Sequence, residues 1–328
     1  MQKIKNFGET QNVTVTILVD NTADIIVRST DNVKYHTGPP LLAEHGFSAL
    51  IHLIDENKKI LWDAGITRVA LLENMKRMSV DPRAIDIIAL SHGHSDHTAA
   101  VTDILHAVYD HPVSKRWEKD TSPEAIQNYI NGKRIPLVVH PALFRERWRI
   151  QKDGVKFGPM TLPPRDEWIV AGADIIESVE PYPLGTGCWT TGEVPRVSFE
   201  TSGILPGMFY REGNDFTADY LEEDQAIVIN VRDKGLVIVS GCAHSGIVNT
   251  INHARKISGV DKVWAILGGF HLVSANDEEI QQTINDIMEF KPSLIAPSHC
   301  TGMRAICEFA LQMPDELVRG IVGASYIF

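Results

Sequence analysis

Residues 85–98 read Ile85-Asp86-Ile87-Ile88-Ala89-Leu90-Ser91-His92-Gly93-His94-Ser95-Asp96-His97-Thr98. The first six residues are almost wholly apolar, the pattern of a short strand buried on both faces. Three imidazoles and a carboxylate, a donor set that zinc favours, follow at once: His92, His94, Asp96 and His97. In a tight turn leaving a strand, alternate side chains can point one way and their neighbours another. His92 and His94 can then serve one metal ion while Asp96 and His97 serve a second.

The flanking sequence supplies a sheet for this turn. Upstream, Val13–Val19 is rich in β-branched residues and reads as a strand ending at Asp20-Asn21, followed by a polar loop to Pro40. Ser48–Ile54 and Ile60–Asp63, joined by Glu56-Asn57-Lys58-Lys59, form a hairpin pattern. A helix is predicted over Thr67–Met78, with Val69, Leu72, Met75 and Met78 as its apolar stripe. Downstream, 123–130 reads as a helix and Leu137–Val139 as a buried strand. Residues 151–220 are rich in glycine and proline and read as strands with long loops covering a site. Their aromatic residues Tyr182, Trp189, Phe199, Phe209 and Tyr210 suit either core packing or a wall for a flat ring.

The last third alternates regularly. Ala226–Val231 and Leu236–Val239 make a second hairpin. A helix over Ile247–Ile257, a strand Val263–Leu267, a helix after Asn276, a strand Leu294–Ala296 and a helix Met303–Leu311 follow. Asn276 with Glu279 resembles a capping box. Each half thus begins in hairpins and ends in alternating strands and helices. That predicts an α/β fold, a four-layer αββα sandwich of two facing mixed β-sheets with helices outside.

Two ions need more donors than the first cluster offers. Three later segments end a buried strand in a metal-capable residue: Ser240-Gly241-Cys242-Ala243-His244, Gly268-Gly269-Phe270-His271 and Pro297-Ser298-His299. Strand ends are where α/β folds place their sites. The metal candidates are therefore His92, His94, Asp96, His97, Cys242, His244 and His299, with His271 beside them. His140, before Pro141, reads as a strand-end residue.

Composition narrows the function classes. The 328 residues carry a formal net charge of −11, which disfavours a general nucleic-acid partner. The start Met1-Gln2-Lys3-Ile4-Lys5-Asn6 has no apolar signal core, and no apolar run is long enough to span a membrane. Four cysteines (Cys188, Cys242, Cys300 and Cys307) show no paired framework, so a cytoplasmic protein with free thiols is expected. No Walker-type phosphate loop is present.

The chain resembles the metallo-β-lactamase superfamily, whose His-x-His-x-Asp-His hallmark is matched by His92, His94, Asp96 and His97. Its strand-end aspartate is matched by Asp63 in Leu61-Trp62-Asp63-Ala64-Gly65, and its final histidine by His299. Glu44-His45-Gly46-Phe47-Ser48, the 91–98 segment, Gly241–Asn249 and Gly268–Leu272 together resemble one branch. That branch includes proteins named 7,8-dihydropterin-6-yl-methyl-4-(β-D-ribofuranosyl)aminobenzene 5′-phosphate synthase. The resemblance implies a single domain over 1–328, with the loop-rich insertion at about 151–220 over the site. It implies two divalent metal ions, Zn2+ by preference with Mn2+ or Fe2+ as alternatives, and a hydroxide supplied by a metal-bound water. Asp96 and His271 are then the catalytic candidates, His45 lines the substrate pocket, and Asp63 orients a ligand imidazole by accepting its other N–H.

Three positions depart from the pattern. Ala99-Ala100 stands where the branch usually has two glycines. No histidine lies between His140 and His244, where many members place a ligand to the first metal; either His244 takes that role or the first site is completed differently. Cys242 stands near the place of the superfamily's bridging aspartate. The function expected is a metal-dependent hydrolase, or a related lyase or synthase, acting on a small molecule that is phosphorylated or pterin-like. The alternatives are a di-iron oxidoreductase, whose relatives usually carry glutamate at the His94 position and a flavin domain, and a binding or sensing protein that retains the metal site. A nuclease stands third, after the oxidoreductase and ahead of the sensing protein, disfavoured by the acidic balance and the lack of a basic appended module.

Overall fold

The computed structural model describes residues 3–109, 122–123 and 134–328. The helix predicted over 123–130 lies, but for Pro123, outside them. An eight-stranded sheet runs in the order Val33–Tyr35, Ala324–Ile327, Val13–Val19, Ser48–Leu53, Lys58–Trp62, Ile87–Ala89, Ile135–Val139, Ala173–Glu177. A six-stranded sheet runs Pro183–Gly185, Cys188–Thr190, Ala226–Val231, Gly235–Ser240, Val263–Gly269, Leu294–Ser298. Both are mixed, with hairpins at one side and parallel strands at the other.

Strand alternation sorts the side chains into three cores. Val15, Ile17, Ile51 and Trp62 of the large sheet meet Ile227, Ile229, Val239 and Leu267 of the other between the sheets. The opposite faces are covered by helices: Arg68–Arg77 and Val101–Tyr109 on the large sheet, and Ile247–Ser258, Asp277–Glu289 and Met303–Gln312 on the smaller. This is the expected αββα sandwich. Among the described residues no helix is long and apolar enough to cross a membrane.

Two local expectations are corrected. Helix Arg68–Arg77 is capped by Thr67 as predicted, and Met75 with the partly buried Leu72 and Met78 faces the core, but Val69 is 62% exposed and Ala70, Leu71 and Asn74 complete the buried face. The polar Asn74 holds a core position because its amide donates to the carbonyls of Leu18 and Leu42 and accepts from Leu42 N, all at 2.8 Å. A binary apolar pattern cannot register a polar residue satisfied by distant backbone. The Asn276 side chain does cap its helix, accepting from Glu279 N at 2.8 Å. Glu279 returns nothing to it; its carboxylate accepts instead from Thr201 N and Ser202 N at 2.7 and 2.8 Å.

Residues 151–220 supply edge strands to both large sheets and most of a third, four-stranded sheet. Its order is Asp215–Ala218, Met208–Glu212, Arg147–Ile150, Lys156–Phe157. The buried Arg147 anchors it, donating to Asp219 Oδ2 (2.6 Å) and Glu223 Oε1 (2.5 Å). Burial pushes the Glu223 carboxyl up to about 7 against the opposing pull of Arg147, so losing the guanidinium would strand two buried acids.

Candidate metal centre

The strands of both sheets that run parallel deliver their carboxyl ends to one edge of the sandwich. Asp63 follows Lys58–Trp62, His92 follows Ile87–Ala89, Cys242 follows Gly235–Ser240, His271 follows Val263–Gly269, and His299 follows Leu294–Ser298. The sheets approach so closely here that a Cβ on Gly241 would lie 2.2 Å from Ser91 Oγ and 2.8 Å from Asp63 Oδ2. Asp63, Ala243, His271 and His299 all have left-handed backbone, at φ 57°, 55°, 45° and 48°. That conformation costs a non-glycine residue roughly 1–2 kcal/mol, and such costs collect where geometry is imposed by a site.

Four histidines are held alike. Asp63 accepts from Ser91 N and Ser91 Oγ and faces His97 Nδ1, each at 2.7 Å. With its own proton given to Asp63, Ser91 Oγ is left to accept from His92 Nδ1 at 2.8 Å. His244 Nδ1 donates to the Gly203 carbonyl at 2.9 Å, and His299 Nδ1 to Asn21 Oδ1 at 3.1 Å. In the uncharged rings of His92, His244 and His299 this leaves the proton on Nδ1 and the lone pair on Nε2. His94 turns the other way, its Nδ1 3.0 Å from His92 Nε2. The Nε2 atoms of His244 and His299 are buried without a hydrogen-bond partner.

These free atoms converge on Cys242. Its Sγ lies 3.1 Å from His97 Nε2. Donor atoms within 4.8 Å of one another form four groups among the described residues: His92–Cys242–His244, His97–Cys242–His299, Cys242–His271–Cys300 and His45–Asp96–His299. Asp96 Oδ2 sits 3.3 Å from His299 Nε2 and 3.7 Å from His97 Nε2. His94 falls outside these groups but packs edge-on against His92 and His244, at centroid distances of 4.6 and 4.9 Å. His271 lies against His244 at 4.1 Å. His45 stands at the rim, its side chain 67% exposed and its Nε2 3.3 Å from Asp96 Oδ2.

All the site residues singled out in the sequence therefore meet in one place. His140 is elsewhere, capping the turn Pro141–Phe144 through Ala142 N. Three further residues join the site: Cys300, signalled in the sequence only by its adjacency to His299, and Ser91 and Asn21, whose roles appear only across chain separations of 28 and 278 residues. The aromatic set from the loop-rich stretch does not line the cavity beside His94. Trp189 stacks on Phe7 instead, and Tyr210 lies under the Arg145 guanidinium.

Burial and the neighbouring carboxylates set the electrostatics of the cluster. Burial holds His92 and His244 well below the ordinary histidine range and His94 down to about 4. Burial also disfavours charge on His97, but the Asp63 carboxylate outweighs it and raises His97 to about 9. Burial works to raise Asp96 and is overcome by the neighbouring His299 and the charge of His97, which hold it far below the usual carboxylate range. Linkage fixes the signs. Between pH 6.5 and about 4 the unfolded chain takes up protons that His94, His92 and His244 refuse, so the metal-free protein loses stability on acidification. The His97 contribution is fully present below 6.5 and is lost as pH rises towards 9. Melting temperature of chelator-treated protein should peak near neutrality, and a profile rising steadily towards pH 4.5 would contradict these assignments.

This edge cluster on an αββα sandwich defines a class: the chain belongs to the metallo-β-lactamase superfamily and is an enzyme of that fold. The superfamily's sequence model matches residues 43–186. A 7,8-dihydropterin-6-methyl-4-(β-D-ribofuranosyl)-aminobenzene-5′-phosphate synthase of Methanocaldococcus jannaschii is 30% identical over 302 residues, 88% of this chain and 94% of that protein. An uncharacterised protein of the same organism is 29% identical over 310 residues, covering 94% and 98%. Among solved structures, Tm1679, described as a metal-dependent hydrolase of the β-lactamase superfamily, superposes with a TM-score of 0.69 at 18% identity, covering 95% and 98%. YhfI of Bacillus subtilis, a metallo-β-lactamase fold protein, gives 0.54 at 12% identity, covering 97% and 100%.

Proposed function

We propose that this protein is a binuclear metallohydrolase, or a mechanistically related synthase, acting on a small molecule. The observation that carries the reading is the pair of donor triads sharing Cys242, with buried, partnerless Nε2 atoms on His244 and His299. An imidazole lone pair buried with nothing to accept from is costly unless a cation takes it. His92, His94 and His244 would hold one divalent ion, and Asp96, His97 and His299 the other, with the Cys242 thiolate reaching both. Imidazole with a single thiolate and a carboxylate suits Zn2+, while Mn2+ and Fe2+ remain alternatives for the carboxylate-bearing half. When bound, such ions lower the pKa of water towards neutrality and polarise a carbonyl or phosphoryl oxygen.

The chain's own residues do the rest. Ser91, Gly203 and Asn21 orient the rings of His92, His244 and His299 with Nδ1 outward and Nε2 inward, and Asp63 holds His97 by the same nitrogen. Asp96 is placed to orient a nucleophilic water by accepting its proton-side hydrogen bond. His271, half-buried beside His244 with a partnerless Nδ1, is placed to donate to a substrate oxygen or leaving group. His45 would touch substrate from the rim. The synthase name of the M. jannaschii relative supports a phosphorylated or pterin-like substrate for this chain as well. Free thiols at all four cysteines suit a reducing cytoplasm.

The test is elemental analysis with an esterase and phosphodiesterase panel on the wild type and His94→Ala. The variant should lose about one metal equivalent and at least a hundredfold in kcat/KM. Retention of both metal and activity would sink the reading. A full metal complement in the wild type with no turnover on any panel substrate would favour the sensing protein, and iron in place of zinc the oxidoreductase.

A further inference from the structure

We propose that the cavity between the four-stranded sheet and the Gly93–Ser95 turn is a recognition pocket for small molecules that combine an apolar body with one oxyanion, carboxylate or phosphate, and that Arg149 binds the oxyanion. The proposal rests on the hydrolase reading for its purpose but not for its test.

The cavity has a volume of about 470 Å³ and opens on His94 at the edge of the metal centre. That is within the size range of small-molecule sites. Alternation along Arg147–Ile150 sends Arg147 and Arg149 to the same face, and both border the cavity. Their circumstances differ. The charge of Arg147 is consumed by Asp219 and Glu223. Arg149 is exposed, and its guanidinium has no ion pair or hydrogen bond among the described residues. An exposed arginine alone would be ordinary surface; this one shares a wall with apolar side chains. Met208 lies directly across the strand pair from it. Met160 and Leu162 face the same space while remaining 43% and 37% exposed. Leu205 completes the apolar lining. Flexible methionines adapt to a bound surface, and guanidinium matches the two-oxygen geometry of carboxylate or phosphate. On a chain of net charge −11, an unpaired cation beside the site gives an anionic substrate a specific place to dock.

The test is calorimetric titration of chelator-treated protein, so that no ion competes for the anion, with 1-naphthyl phosphate, 1-naphthoate and neutral 1-naphthalenemethanol. Both anions should bind about tenfold or more tightly than the neutral compound. Arg149→Ala should abolish that preference, Arg149→Lys should keep part of it, and Leu162→Asp should weaken all three ligands. Because the Arg149 guanidinium has no ion pair or hydrogen bond to lose among the described residues, the Arg149→Ala melting temperature serves as the control for folding. An undiminished anion preference in Arg149→Ala, or no binding to the wild type, overturns the proposal. Turnover and metal content are not read in this experiment, so the pocket and the hydrolase reading fail separately.

Discussion

Replacing Cys242 with alanine is expected to empty the metal centre more completely than any other single change. The Cys242 sulfur belongs to both principal donor triads and to the third group with His271 and Cys300. An ordinary ligand serves one ion, whereas loss of a shared one removes a negative donor from two. The affinity for both ions should fall about a hundredfold or more, read by chelator competition, and turnover should fall with it. The protein itself should remain folded, because cysteine to alanine removes one buried atom. Cys242→Asp is the informative companion. It restores a negative donor of the type usual in the superfamily and should recover metal content ahead of activity. If Cys242→Ala bound both ions with wild-type affinity, the shared-ligand assignment would be wrong, and Cys242 would be a packed thiol.

Asp63→Ala is expected to have the largest effect on stability. The carboxylate is buried and accepts from Ser91 N, Ser91 Oγ and His97 Nδ1 at 2.7 Å each. Its removal leaves a buried N–H, a buried hydroxyl and a buried imidazole unsatisfied. Losses of this kind cost about 3–5 kcal/mol in total, visible as a fall in the denaturation midpoint of the metal-free protein. Asp63→Asn isolates orientation from packing. Its amide fits the space but presents a donor where His97 Nδ1 needs an acceptor. Metal affinity should drop about 10- to 100-fold, with the stability loss smaller than in the alanine variant. Equal stability in wild type and Asp63→Ala would remove Asp63 as the organiser of the strand-end network.

Much of the sandwich could be read locally. The hairpin Ser48–Leu53 with Lys58–Trp62, the helices Ile247–Ser258 and Met303–Gln312, and the parallel strands before Cys242, His271 and His299 are all close to their predicted bounds. These elements bury a regular stripe or a continuous apolar run, so their period is written in a few consecutive residues. Val33–Tyr35 lies in a stretch whose local sequence predicts a loop, because a three-residue strand owes its place to pairing with Ala324–Ile327 nearly 300 positions away. The helix at Arg68 matches its predicted extent, and Met75, Leu72 and Met78 of its predicted stripe do pack on the core, but Val69 is exposed and Asn74 takes an inward place through its contacts on Leu18 and Leu42.

The opening segment shows the same division. The local sequence determined that Ile85–Leu90 is buried and that three imidazoles and a carboxylate leave it together, because hydrophobic periodicity and donor chemistry are properties of neighbouring residues. It also marked Cys242, His244 and His299 as strand-end donors. Only the tertiary structure decided that these donors share one edge, that Cys242 stands between the two histidine groups, and that Asp63, Ser91, Gly203 and Asn21 set which nitrogen of each ring is free. It likewise decided that Met160, Leu162, Met208 and Arg149, and none of those aromatics, line the cavity beside His94. The physical reason is common to all of these. A hydrogen bond, a shared ligand atom or a cavity wall is a relation between residues distant in the chain, and its partner is chosen by how the two sheets pack rather than by any local pattern.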